Sequence, residues 1–132
     1  MTTIYKVCRV NRQDEFISAI IDGNNMLTYT MGQEIVSHTG PIFCMPNYES
    51  AKWYLDIEYN GNKMVILECE TTNEPVRLYK GLSSALVSVI GKGDLREHWV
   101  LQKKTGYFDF RLPDGTYGVS RLTPVRVVWR TL

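Results

Sequence analysis

The sequence predicts an α+β fold: a single domain over residues 1–132, in which a mostly antiparallel sheet packs on one or two helices. Three observations carry that expectation. Short runs rich in β-branched and aromatic residues recur along the chain, separated by turns bearing glycine, asparagine or proline. One segment, after Asn47, instead spaces Tyr48, Ala51, Tyr54 and Leu55 three and four residues apart, as a helix with one buried face does. Finally, 132 residues at 44% hydrophobic and 22% charged are enough for one core without disulfide or metal staples.

The elements follow in order. Residues 4–10 and 16–21 read as strands, joined by the polar loop Asn11-Arg12-Gln13-Asp14-Glu15. Asp22-Gly23-Asn24-Asn25 is a turn, because Gly and Asn tolerate positive φ. Residues 27–30 and 34–37 form short strands around Met31-Gly32-Gln33, and 42–45 form another after the break at Gly40-Pro41. Asn47 is placed to cap the helix, and Glu49 suits the positive end of its dipole. Gly61 stops it. Residues 64–70 read as a central strand and 76–79 as a shorter one. Residues 83–90 alternate at their end like a strand, yet Leu82, Ala85, Leu86 and Val89 fit a second, short helix. A Gly-rich loop at 91–97 leads to extended segments at 99–102 and 107–112. After the turn Pro113-Asp114-Gly115 comes a strand at 116–122, which Pro124 separates from a last one at 125–129.

Charge and cysteine usage narrow the function. Fifteen basic residues against fourteen acidic ones give a net charge of +1, which argues against a nucleic-acid polymer as partner. No apolar run approaches the roughly 18–20 residues of a membrane span, so no membrane partner is expected. The start of the sequence lacks a signal peptide's pattern. Cys8, Cys44 and Cys69 have no C-x-x-C spacing, sit in apolar strand-like runs and read as small buried hydrophobes in a reducing, cytoplasmic setting. His38 and His98 stand in no metal-binding motif, so no cofactor is expected.

Cations gather with aromatics toward the C-terminal half: Arg77, Arg96, Arg111, Arg121 and Arg126 among Trp99, Tyr107, Phe110 and Tyr117. Arg meets phosphate with a planar fork and also lies on aromatic faces, although alternating Arg and apolar residues equally mark the wet and dry faces of strands. Gly91-Lys92-Gly93-Asp94 lacks the spacing of a phosphate-binding loop. Glu68 and Glu70 point to one strand face, and Glu97-His98 adjoins Trp99, but neither has a catalytic motif's spacing. Trp53 and Tyr54 are neighbours on the helix and cannot share a face. One of them, and Trp129, is expected either at solvent or at a partner surface, or else partly buried within the monomer.

Read together, Y-K-V-C-R-V, F-I-S-A-I-I-D-G, L-T-Y-T-M-G-Q-E-I, G-P-I-F-C-M-P-N-Y-E-S-A-K-W-Y, M-V-I-L-E-C-E and D-G-T-Y-G-V-S-R-L-T-P-V-R-V form an order of segments. That order resembles small bacteriophage proteins of the Thoeris anti-defence type. These sequester the cyclic ADP-ribose signals of bacterial TIR-domain enzymes. The stretch between Gly81 and Tyr107 matches least. The resemblance implies a non-catalytic homo-oligomer in the host cytoplasm that binds a small cyclic nucleotide ligand. It makes Arg121 a phosphate or ribose contact with Ser120 beside it, Arg96 a loop cation and Trp99 a stacking platform. Two alternatives stand beside it. One is an ADP-ribosyltransferase-like or nucleotide-degrading enzyme using Glu68, Glu70 and His98. The other is a phage protein that binds a host protein through Trp53 or Trp129.

Overall fold

The structure, a computed structural model, describes residues 1–18, 26–38, 42–58, 63–73, 75–77 and 116–131. Among these residues, nine strands and one helix run in the order β1 (Thr2–Val10), β2 (Phe16–Ser18), β3 (Thr28–Tyr29), β4 (Ile35–Val36), β5 (Ile42–Cys44), α1 (Tyr48–Glu58), β6 (Met64–Thr71), β7 (Val76–Arg77), β8 (Tyr117–Val119) and β9 (Arg121–Arg130). Their pairings are antiparallel throughout. The mostly antiparallel sheet with a helix packed on it is therefore as the sequence predicts. The second helix expected near 83–90, and the Gly61 stop, lie outside the described residues.

One sheet has the order β3-β2-β1-β6-β9-β4 and a smaller one the order β5-β8-β7. The two are halves of a nearly closed ring. β1 pairs with β6 from Thr2↔Thr71 to Arg9↔Met64, and β6 pairs with β9. β9 continues from β8 through Ser120, and β8 pairs with β5. Met45, just after β5, returns to Tyr5 of β1 with two backbone hydrogen bonds, of 2.9 Å and 2.8 Å. This closure covers strand edges that would otherwise be open to stray pairing.

The alternation of side chains along the two longest paired strands divides the core. Ile4 and Cys8 of β1, with Val65, Leu67 and Cys69 of β6, face the interior of the ring, where they meet Tyr29, Ile42, Cys44, Val119 and Leu122. Val7 of β1, with Met64 and Ile66 of β6, faces the other way and is covered by Ala51, Tyr54 and Leu55 of α1. Asn47 starts that helix as its spacing predicts: its side-chain oxygen accepts from Ser50 N at 2.8 Å, satisfying a first-turn amide. Asn47→Ala should therefore lower stability by about 1 kcal/mol, read as a lower urea midpoint with unchanged slope. Of the adjacent aromatics, Tyr54 is inside at 8% exposure and Trp53 is outside at 49%.

Turn chemistry matches the sequence where it is described. Asn11 Oδ1 accepts from Gln13 N and Glu15 N, closing the loop from β1 to β2. Gly32 sits at φ +80, the left-handed third position of a turn closed by Gln33 N donating to Thr30 O at 3.1 Å.

Pro124 corrects the sequence reading. It does not separate two strands but lies inside β9, opposite Cys69, where the β6–β9 register shifts. A bulge accommodates a residue with no N–H to give to the ladder. The carbonyl of Pro124 is used, accepting from Gly32 N at 2.8 Å. The break falls instead at Ser120, between β8 and β9.

Candidate functional site

Three groups of polar side chains stand out among the described residues. The first lies at the β8–β9 junction, where the break at Ser120 turns Arg121 out of the ring. Val119 and Leu122 on either side are both buried in the core. The junction is pinned from several directions. Thr71 Oγ1 donates to Arg121 O at 2.7 Å, Ser37 N donates to Ser120 O at 2.9 Å, and Ser120 Oγ donates to Asn73 Oδ1 at 2.5 Å. Asn73 N in turn donates to Thr71 Oγ1 at 3.1 Å. The guanidinium is less well held. Arg121 Nη1 lies 3.6 Å from Glu34 Oε1, a half-exposed ion pair of the kind worth about 0–1 kcal/mol. Its Nε is buried and finds no hydrogen-bond acceptor among the described residues.

Arg121 and Ser120, adjacent in sequence, are thus placed at one structured junction. Ser120 has its proton committed to Asn73, so its role there is to position the turn. Arg96 and Trp99 lie outside the described residues, as does His98. Sequence reasoning missed Glu34, Thr71 and Asn73, which reach Arg121 or its neighbour from other strands and loops. Asn73 alone carries a local signal, as a turn former just after the strand that ends at Thr71.

The second group is internal. Lys6 lies on the same face of β1 as Ile4 and Cys8 and is only 5% exposed. Its Nζ donates to Phe43 O at 2.7 Å and sits 5.7 Å from the centre of the Tyr29 ring. Burial lowers the Lys6 pKa, because the charged amine has lost its water. The same burial pushes Cys8 and Cys44 up to about 12 and raises Cys69 and Tyr29. All three thiols are free and buried, as the sequence predicts. They are protonated near neutral pH, which removes the thiolate that nucleophilic chemistry needs.

The third group is on the outer face. Arg126 grips Glu68 with two hydrogen bonds, Nε to Oε2 at 2.8 Å and Nη2 to Oε1 at 3.1 Å. Tyr5 Oη donates to the same carboxylate at 3.2 Å. Arg126 holds the Glu68 carboxyl below its ordinary range, which suits an ion-pair anchor and not a general acid. Glu70 follows two residues on, opposite Thr3 and Thr123. Trp129 is partly buried, with Lys52 Nζ 4.8 Å from its ring centre. Among the described residues no cluster of His, Cys, Asp and Glu could hold a metal ion, and no helix is long and apolar enough to cross a membrane. Compared with known protein families, with curated proteins and with solved structures, the chain matches none.

Proposed function

We propose that the protein binds and hides a small phosphate-linked nucleotide signal, of the cyclic ADP-ribose class, without altering it. The observation that carries this reading is the buried, unpartnered Nε of Arg121 beside the rigid Ser120–Asn73 turn. A buried N–H without an acceptor costs roughly 1–3 kcal/mol, and a phosphate oxygen that displaced what covers it would offset that cost. The planar fork of an arginine suits such a group. Glu34, only loosely engaged at 3.6 Å, would yield to a stronger anion. Glu68, the carboxylate an enzyme would most readily draft as acid or base, is already held by Arg126. In this reading the protein is a phage anti-defence factor in the host cytoplasm, and copies of it assemble so that ligand is shielded from water at a subunit boundary.

Titration calorimetry with cyclic ADP-ribose isomers tests it. Sub-micromolar binding is expected, weakened about tenfold or more by Arg121→Gln, in line with a lost charge-assisted hydrogen bond. Binding no better than micromolar for every isomer sinks the proposal. Chromatography after heating should return the ligand intact, whereas its loss would mark a degrading enzyme. Light scattering should show more than one chain per particle.

A further inference from the structure

A cleft of about 190 Å3 opens at the start of β1, lined by Thr2, Thr3, Ile4, Pro46, Pro75 and Tyr117. Its walls are mostly apolar and include three rings, two from proline and one from tyrosine. Thr2 and Thr3 are exposed at its edge and bring hydroxyls that hydrogen-bond in either sense. The volume falls below the roughly 300 Å3 at which pockets begin to enclose a whole drug-sized ligand. It suits one flat ring system entering from a larger molecule.

The backbone around this cleft is fixed. Tyr117 is paired on both sides, with Cys44 of β5 and Arg77 of β7, and its carbonyl also accepts from Cys44 Sγ at 3.6 Å. The Tyr5–Met45 bridge sets Pro46 immediately beside β1. Asn73, which holds Ser120, and Pro75, which lines the cleft, are two residues apart in sequence, so the cleft and the arginine junction are neighbours. Tyr117 and Arg121 are four residues apart along β8 and the start of β9, a span of at most about 13 Å along an extended chain.

We infer that the Tyr117 cleft takes the planar heteroaromatic ring of the same phosphorylated ligand whose phosphate Arg121 holds, an inference that rests on the function proposed for that arginine. The tyrosine and proline rings supply stacking area, the threonine hydroxyls meet the ring's heteroatoms, and the ribose spans the turn between the two sites. Stacking of a base on an aromatic side chain tolerates any base, so the cleft selects for a ring and not for one particular base.

Three probes separate the parts: adenosine, inorganic pyrophosphate and ADP-ribose, titrated calorimetrically and by amide chemical shifts. ADP-ribose should bind about tenfold or more tighter than pyrophosphate, and adenosine should shift the amides of Thr2, Thr3 and Tyr117. Thr3→Trp, which fills the cleft from its exposed rim, should erase the advantage of ADP-ribose and leave pyrophosphate binding unchanged. Thr2→Trp serves the same purpose if the first variant misfolds. An advantage that survives both fillings overturns the ring subsite and leaves the Arg121 reading standing. If adenosine shifts those amides while pyrophosphate does not bind, the Arg121 reading falls, and with it the claim that one ligand occupies both sites.

Discussion

Stability is expected to fall steeply above pH 9. Cys8, Cys44 and Cys69 are all raised by burial, the first two to about 12, against 9.0 for a free thiol. Between those values the unfolded chain releases thiol protons that the folded chain keeps. The stability those protonated thiols lend below pH 9 is therefore lost as the pH rises toward 12. Lys6 acts in the opposite sense. Its folded pKa is lowered, so the unfolded chain holds a proton that the folded one lacks, and stability climbs with pH up to about 10.5. Above 9 three thiols oppose one amine, so the thiols set the direction and stability falls. Tyr29, raised well above 10.0, adds to the loss from about 10.0 upward, and above 10.5 the offset from Lys6 ends.

Urea melts in reducing buffer at about pH 7, 9 and 10.5 measure this directly. Lys6→Met should remove the opposing slope and so steepen the alkaline fall. Cys8→Ala should make the fall shallower. A stability that stays flat across the alkaline range would mean that the thiols are not sequestered from water as described.

Leu67→Ala should cost about 2–5 kcal/mol, the range for truncating a core leucine whose surroundings cannot collapse into the gap. Leu67 is fully buried, lies opposite Lys6 on β1 and opposite Val127 on β9, and so stands where three strands of the ring meet. The paired backbones on both sides hold the space open. The cavity would also adjoin the Lys6 side chain, and water entering it would return the amine toward its ordinary pKa. The variant should therefore lose part of the slope that Lys6 contributes, together with its stability. Trp53→Ala, on the exposed side of α1, is the control and should change stability by less than about 0.5 kcal/mol. Equal losses from the two variants would contradict the assigned core.

How far the sequence foretold this molecule depends on the range of each contact. The helix was legible because its signals are local: Asn47 three residues before Ser50, and apolar residues at helical spacing that send Tyr54 inward and Trp53 outward. β1 and β6 were legible from composition. Pro124 misled because its usual effect is to stop a strand, and the bulge that accommodates it is formed with Cys69, 55 residues earlier. Ring closure had no local signature at all, since it depends on Tyr5 meeting Met45. The site divides in the same way. Arg121 was visible as a cation in a strand. The residues around it come from the loop before β4, from the end of β6 and from the turn beyond, and only the folded chain assembles them. Lys6 was readable in principle, as a charged residue on a strand face that otherwise carries Ile4 and Cys8.

The place of β9 in the ring has a consequence for how the protein is made. It joins β6 on one side and β4 on the other, yet it follows both in the chain. While it is being synthesised, β6 carries an unpaired edge along its Val65–Leu67 stretch, and α1 can shield only one face of that strand. A nascent chain in this state is a template for pairing with its neighbours. Slow elongation across β7 and β8 should therefore favour aggregation, and a polysome-bound chaperone should find its binding surface at β6.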